Sequence, residues 1–136
     1  MSADRRGRLA PYRSAQRRYR PDRRQFEQLV EEALDRLPEE FRRRIDNVAI
    51  VVEDWPRPSD PGGGDTDGAP LLGLYQGTPF GLRGTDYHLV PPDRITLYRG
   101  PILSLCRDRA DVLREISDTV VHEVGHYFGL QDDELP

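Results

Sequence analysis

His122 and His126 stand four residues apart and bracket Glu123 in HEVGHYFGLQDDELP, residues 122–136. On a helix, positions i and i+4 differ by only about 40° of rotation, so both imidazoles point the same way, one turn apart. They can then take adjacent corners of a tetrahedral metal ion. Glu123 is rotated about 100° from His122 and does not share that corner. A carboxylate so placed is suited to act as general base on water that the ion acidifies. Gly129 follows, a residue able to adopt the left-handed conformation that ends a helix and turns the chain back. Asp132 can then return to a third corner, since zinc accepts aspartate oxygen as well as imidazole nitrogen. Asp133, Glu134 or the Pro136 carboxylate are the alternatives for that corner. Three protein ligands leave a fourth position for water, the arrangement of a catalytic rather than a structural site. One zinc ion per chain is the expectation.

The element that must present these residues is a long helix. Asp108 is a good N-cap with Asp111 following it, and the pattern runs unbroken to Gly129. Leu113, Ser117, Val120 and Val124 share one arc, flanked by Ile116, Val121, Tyr127 and Phe128, opposite the histidines. Gly125 leaves room for close approach of a neighbour. Upstream, Phe26, Leu29, Val30, Ala33, Leu34 and Leu37 repeat at helical spacing and predict an amphipathic helix ended by Pro38. NVAIVVED reads as a buried strand and LLGLYQG as a second. RITLYRG reads as a third, with Ile95 and Leu97 on one face and Thr96 and Tyr98 on the other. Pro101, close behind it, suits a strand with a free edge.

Composition bounds the rest. The 136 residues fit one domain, and a hydrophobic share of 36% points to polar segments diluting a small core. All 20 basic residues are arginine. Residues 1–24 hold nine of them against Asp4 and Asp22, a net +7, whereas the whole chain is −4, so residues 25–136 carry −11. We read residues 1–21 as a solvated arginine-rich tail and 22–136 as the domain. A basic arm can also touch nucleic acid, but tails of this composition are more often simply solvated. No apolar run is long enough to span a membrane, and the N-terminus has no secretory h-region. Cys106 is the single cysteine, so no internal disulfide forms. Both features point to the cytoplasm.

Other residues receive blander readings. His88, the remaining histidine, can be a fourth ligand or a transition-state stabiliser, but an ordinary loop histidine is the simpler reading. Tyr98 and Tyr127 are candidates to stabilise an oxyanion, although the wheel sides Tyr127 with the core. Cys106 reads as a small buried residue and Trp55 as packing. DPGGGDTDG fails the register of a calcium loop, and GTPFGLRG lacks the Lys-Ser/Thr of a phosphate loop.

The run HEVGHYFGLQD resembles the extended HExxHxxGxxH/D motif of zincins. With LLGLYQGTP and PDRITLYRGPIL upstream, residues 22–135 resemble a family of small bacterial, largely actinobacterial, zincin-like metallopeptidases, or minimal zincins. The resemblance implies an α+β fold, with a small mixed β-sheet packed on a C-terminal active-site helix and an N-terminal helix. It assigns the metal to His122, His126 and Asp132 and the base to Glu123. Larger zincins carry a methionine turn beneath the metal or a glutamate ligand from a second helix, and neither is present after this motif. The activity implied is zinc-dependent hydrolysis of a peptide, a short or flexible segment held by edge pairing along strand 94–98. Two other functions fit the residues: a zinc-loaded module that captures a peptide or partner with little turnover, and an adaptor with structural zinc and an arginine arm on nucleic acid.

Overall fold

A computed structural model of the chain describes residues 19–61, 70–77 and 92–129. Helix α1 spans Arg23–Asp35 and starts where Asp22 and Gln25 form a reciprocal capping box, each side chain accepting the other's backbone N–H. It ends before Pro38, as the sequence predicts, but Pro38 does more than stop it. The proline is the N-cap of a short helix, α2 at Glu39–Arg44, where a missing N–H costs nothing. Strands β1 (Val48–Glu53), β2 (Gly73–Gln76) and β3 (Asp93–Tyr98) follow. A second short helix, α3 at Arg99–Ser104, joins β3 to the long helix α4 at Arg109–Tyr127. Asp108 caps α4, its carboxylate accepting the Asp111 N–H at 2.9 Å. Phe128 is the C-cap and Gly129 takes φ +69°, the left-handed turn its position asks for.

The sheet order is β1-β3-β2, with β1 parallel and β2 antiparallel to β3. This is a small mixed sheet in an α+β fold. It corrects one expectation: strand 94–98 lies at the centre of the sheet, bonded on both sides, and offers no free edge. Pro101 is no edge signal either, since it sits in the first turn of α3, where no intrahelical donor is needed. Thr96 and Tyr98, on the face opposite Ile95 and Leu97, are buried as well. The Tyr98 hydroxyl donates to Asp60 at 2.8 Å, so the second sheet face is covered by the segment that follows β1. Burial and that carboxylate together raise the Tyr98 hydroxyl well above its ordinary pKa. A phenol so engaged is not placed to stabilise an oxyanion.

The other sheet face carries the core. Ile95, Leu97 and Val52 meet Phe26, Leu29, Val30 and Ala33 of α1 and Val112, Ile116, Val120 and Val124 of α4. Each of the valine, leucine, isoleucine and phenylalanine side chains among them contributes roughly 1.5–3 kcal/mol by leaving water. The pattern along α4 departs from the expected arc at three residues. Thr119 and Gly125 are buried, and Tyr127 is 44% exposed. Cys106 is buried beside α4, its thiol bonded to the Ile102 carbonyl and pushed up to about 11 by desolvation. Trp55 is 64% exposed, so it packs on one side only, with its ring across Gly100. Before α1, Pro21 is buried, Arg99 donates to its carbonyl, and the Tyr19 N–H donates to the Arg107 carbonyl. No described helix is long and apolar enough to cross a membrane.

Candidate metal centre

The chemistry-bearing end of α4 is its last two turns. Val120, Val121, Val124 and Gly125 pin one side of the helix to the core, which leaves His122 and His126 exposed on the other. Their ring centroids are 6.3 Å apart and the planes are tilted by 58°. His122 Nδ1 donates to the Asp118 carbonyl one turn back, at 2.8 Å. A carbonyl can only accept, so the proton belongs on Nδ1 and the lone pair of Nε2 is left for a cation. The four-residue spacing of Asp118 and His122 permits such a bond, but spacing alone does not declare it.

Glu123 takes a different direction. Its Oε1 accepts the backbone N–H of Tyr75 at 2.9 Å, a bond across 48 residues that reaches β2. β2 is an edge strand, and this N–H points away from β3 towards the helix. Half-burial pushes the Glu123 carboxyl up from its ordinary range, opposed by the Tyr75 N–H and then by His126 and His122. A raised carboxyl is what a general base working near neutral pH requires.

An aromatic cluster fixes β2 against this end of the helix. The Tyr127 ring stacks on Tyr75 with centroids 4.0 Å apart, and Phe128 meets both edge-on. Arg44 of α2 lies over the Phe128 ring at 5.4 Å. The Tyr75 hydroxyl donates to Asp93 of β3 at 2.9 Å. Tyr127 therefore serves as a clamp on β2 rather than as a core side chain.

Gly73 sets how close β2 comes. A Cβ there would stand 2.7 Å from Thr119 Cγ2 and 3.1 Å from the Thr96 carbonyl oxygen. Gly73→Ala should push β2 off α4 and cost about 1–3 kcal/mol in denaturant unfolding. Adding Thr119→Ser removes the offending methyl and should restore part of that loss; strict additivity of the two changes would contradict the contact.

The two imidazoles, with Nε2 of His122 unencumbered, fit a zinc ion. Among the described residues no group of three or more metal-binding side chains is assembled. Asp132, the expected third ligand, lies outside the described residues, as do His88 and the glycine-rich segments 62–69 and 78–91. What sequence reasoning missed is the backbone of Tyr75 and the clamp around it, for which no local pattern gives a signal.

A three-stranded mixed sheet backed by a helix carrying two facing histidines and a strand-held glutamate is the frame of a metallopeptidase of the zincin type. The chain belongs to the zincin-like metallopeptidase family, whose sequence model matches residues 45–136. Among solved structures it is similar to a conserved hypothetical protein from Thermus thermophilus. Identity is 28% and the TM-score 0.50, over 76% of this chain and 91% of that one. No curated protein matches the chain.

Proposed function

We propose that the protein hydrolyses peptide bonds with one zinc ion held by His122, His126 and Asp132. The observation that carries this reading is the placement of Glu123, anchored through one oxygen beside two imidazoles on the same helix. The left-handed Gly129, which turns the chain at the end of α4, supports Asp132 as the third ligand. A bound zinc supplies Lewis acidity, polarising a carbonyl and bringing water towards neutral pKa.

The residues of the chain do the remainder. The Asp118 carbonyl keeps the His122 tautomer fixed, so the ligand needs no proton rearrangement on loading. The Tyr75 N–H holds Oε1 of Glu123, leaving Oε2 to take a proton from the attacking water. That proton then passes to the departing amine, which leaves as a neutral group. β2, not strand 94–98, is the edge along which an extended peptide can align, because it is the strand that meets the site.

Zinc removal tests the proposal. The zinc-loaded chain should cleave members of a mixed peptide library, the chelator-stripped chain should cleave none, and one equivalent of zinc should restore turnover. Turnover that survives stripping would refute it. A zinc-loaded chain that binds peptides without cutting them would favour the capture-module reading.

A further inference from the structure

Helix α4 and strand β2 meet in matched steps. Thr119, Glu123 and Tyr127 lie at i, i+4 and i+8, one stripe along the helix with about 6.0 Å between successive members. Gly73, Tyr75 and Gly77, in β2 and just after it, lie at i, i+2 and i+4, where extended chain advances about 6.6–6.8 Å per step. The two spacings agree closely enough for contacts to form in register. The Thr119 methyl group meets Gly73, where an added Cβ would stand 2.7 Å from it. Glu123 accepts the Tyr75 N–H at 2.9 Å. Tyr127 closes the series: a Cβ at Gly77 would stand 2.5 Å from its hydroxyl oxygen, and its ring stacks on Tyr75 at 4.0 Å between centroids.

Core packing does not account for the last of these contacts. Tyr127 is 44% exposed, so its ring buries little area against the core. What it reaches is the residue of β2 whose backbone holds Glu123. One helix therefore grips Tyr75 twice, at its N–H through Glu123 and at its ring through the side chain one turn further on. β2 is four residues long and lies at the sheet margin, and a short strand flanked by glycine specifies its own register weakly. A slide of two residues would carry Gly73 or Gly77 to the carboxylate. Either glycine has an N–H to donate, but neither has a ring for Tyr127 to stack on.

We infer that Tyr127 is a positioning residue for Glu123: its stack on Tyr75 selects the register in which the Tyr75 N–H, and not that of either glycine, meets the carboxylate. The consequence for chemistry rests on the hydrolase reading above, where Oε2 must be held towards the attacking water. A reacting group misplaced by about 1 Å loses on the order of 10²-fold in rate.

Amide hydrogen exchange, read residue by residue by NMR on the zinc-loaded protein, tests the register without any turnover. Tyr127→Leu removes the stack, Tyr127→Phe keeps it, and Gly77→Ala presses on the ring from the strand side. The Tyr75 N–H should exchange at least about tenfold faster in Tyr127→Leu and in Gly77→Ala, and at the wild-type rate in Tyr127→Phe. The amides of Val120 and Ile95 should keep their rates in all three. An unchanged Tyr75 rate in both Tyr127→Leu and Gly77→Ala overturns the inference. So does faster exchange spread evenly through α4 and the sheet, which marks a merely structural tyrosine. In peptide turnover, Tyr127→Leu should lower kcat about 10–100-fold at unchanged zinc content, and Tyr127→Phe should recover most of it. Added to Glu123→Gln, Tyr127→Leu should cost no more than about twofold, because no base remains to be misplaced. A full further loss in that background means that Tyr127 does not act through Glu123, and overturns its role. The expected exchange pattern in a chain that cuts nothing upholds the register and refutes the hydrolase reading.

Discussion

The zinc-loaded Glu123→Gln protein is expected to lose about 10²–10⁴-fold in peptide turnover while keeping its metal and its fold. The amide can still accept the Tyr75 N–H through Oε1, so β2 stays where it is. What disappears is the oxygen that takes the proton of the attacking water. Without zinc, the stability of the variant should hold or rise, because half-burial disfavours the charged form of Glu123 when no cation stands beside it and the amide carries no charge. The sign follows from the direction of the shift: a carboxyl whose folded pKa is raised weakens the fold above that pKa, and glutamine removes the effect. Turnover and zinc content of the loaded protein, with the thermal midpoint of the metal-free form, check all three. Unchanged turnover would remove Glu123 from the chemistry.

His126→Ala is expected to lower zinc occupancy from about one ion per chain to less than a tenth at micromolar metal. Loss of an inner ligand should exceed the 10–100-fold in affinity that follows loss of an outer partner. The helix should survive, because His126 is exposed and alanine is the best helix former. His122→Ala should behave in the same way. It also leaves the Asp118 carbonyl unpartnered by that ring, at little cost, because the residue is exposed. Metal analysis after gel filtration, alongside far-UV circular dichroism, gives the answer. Full occupancy in either variant would mean that the imidazoles do not hold the ion.

Local patterns carried the helices further than the sheet. The periodicity of Phe26 to Leu37 and the Asp108 cap both correspond to helices in the fold, because each depends on neighbours within one or two turns. Strand order depends on partners far apart in sequence, and nothing local states it. The RITLYRG run therefore gave a strand but the wrong place for it. Its alternation pointed to one buried face, whereas both faces are covered, Asp60 reaching over to accept from Tyr98. The short helices α2 and α3 were missed because each spans six residues, too few to show a period. At the site, four-residue spacing is enough to put His122 and His126 on one side of α4, and that placement was legible. The anchor of Glu123 on Tyr75 was not, because the two residues meet only once β2 has folded against the helix. Thr119 was not singled out, as threonine in an apolar helix is ordinary until its hydroxyl is seen to lack a partner.

The strand that steadies Glu123 is four residues long and lies at the sheet margin. Short marginal strands fray at a smaller free energy than the core opens. On gentle warming, the carboxylate would lose its tether while α1 and α4 were still packed together. Catalytic competence would then fade in a gradual slope ahead of the cooperative melt, so the working temperature ceiling of such a protein would be set by one amide at its rim.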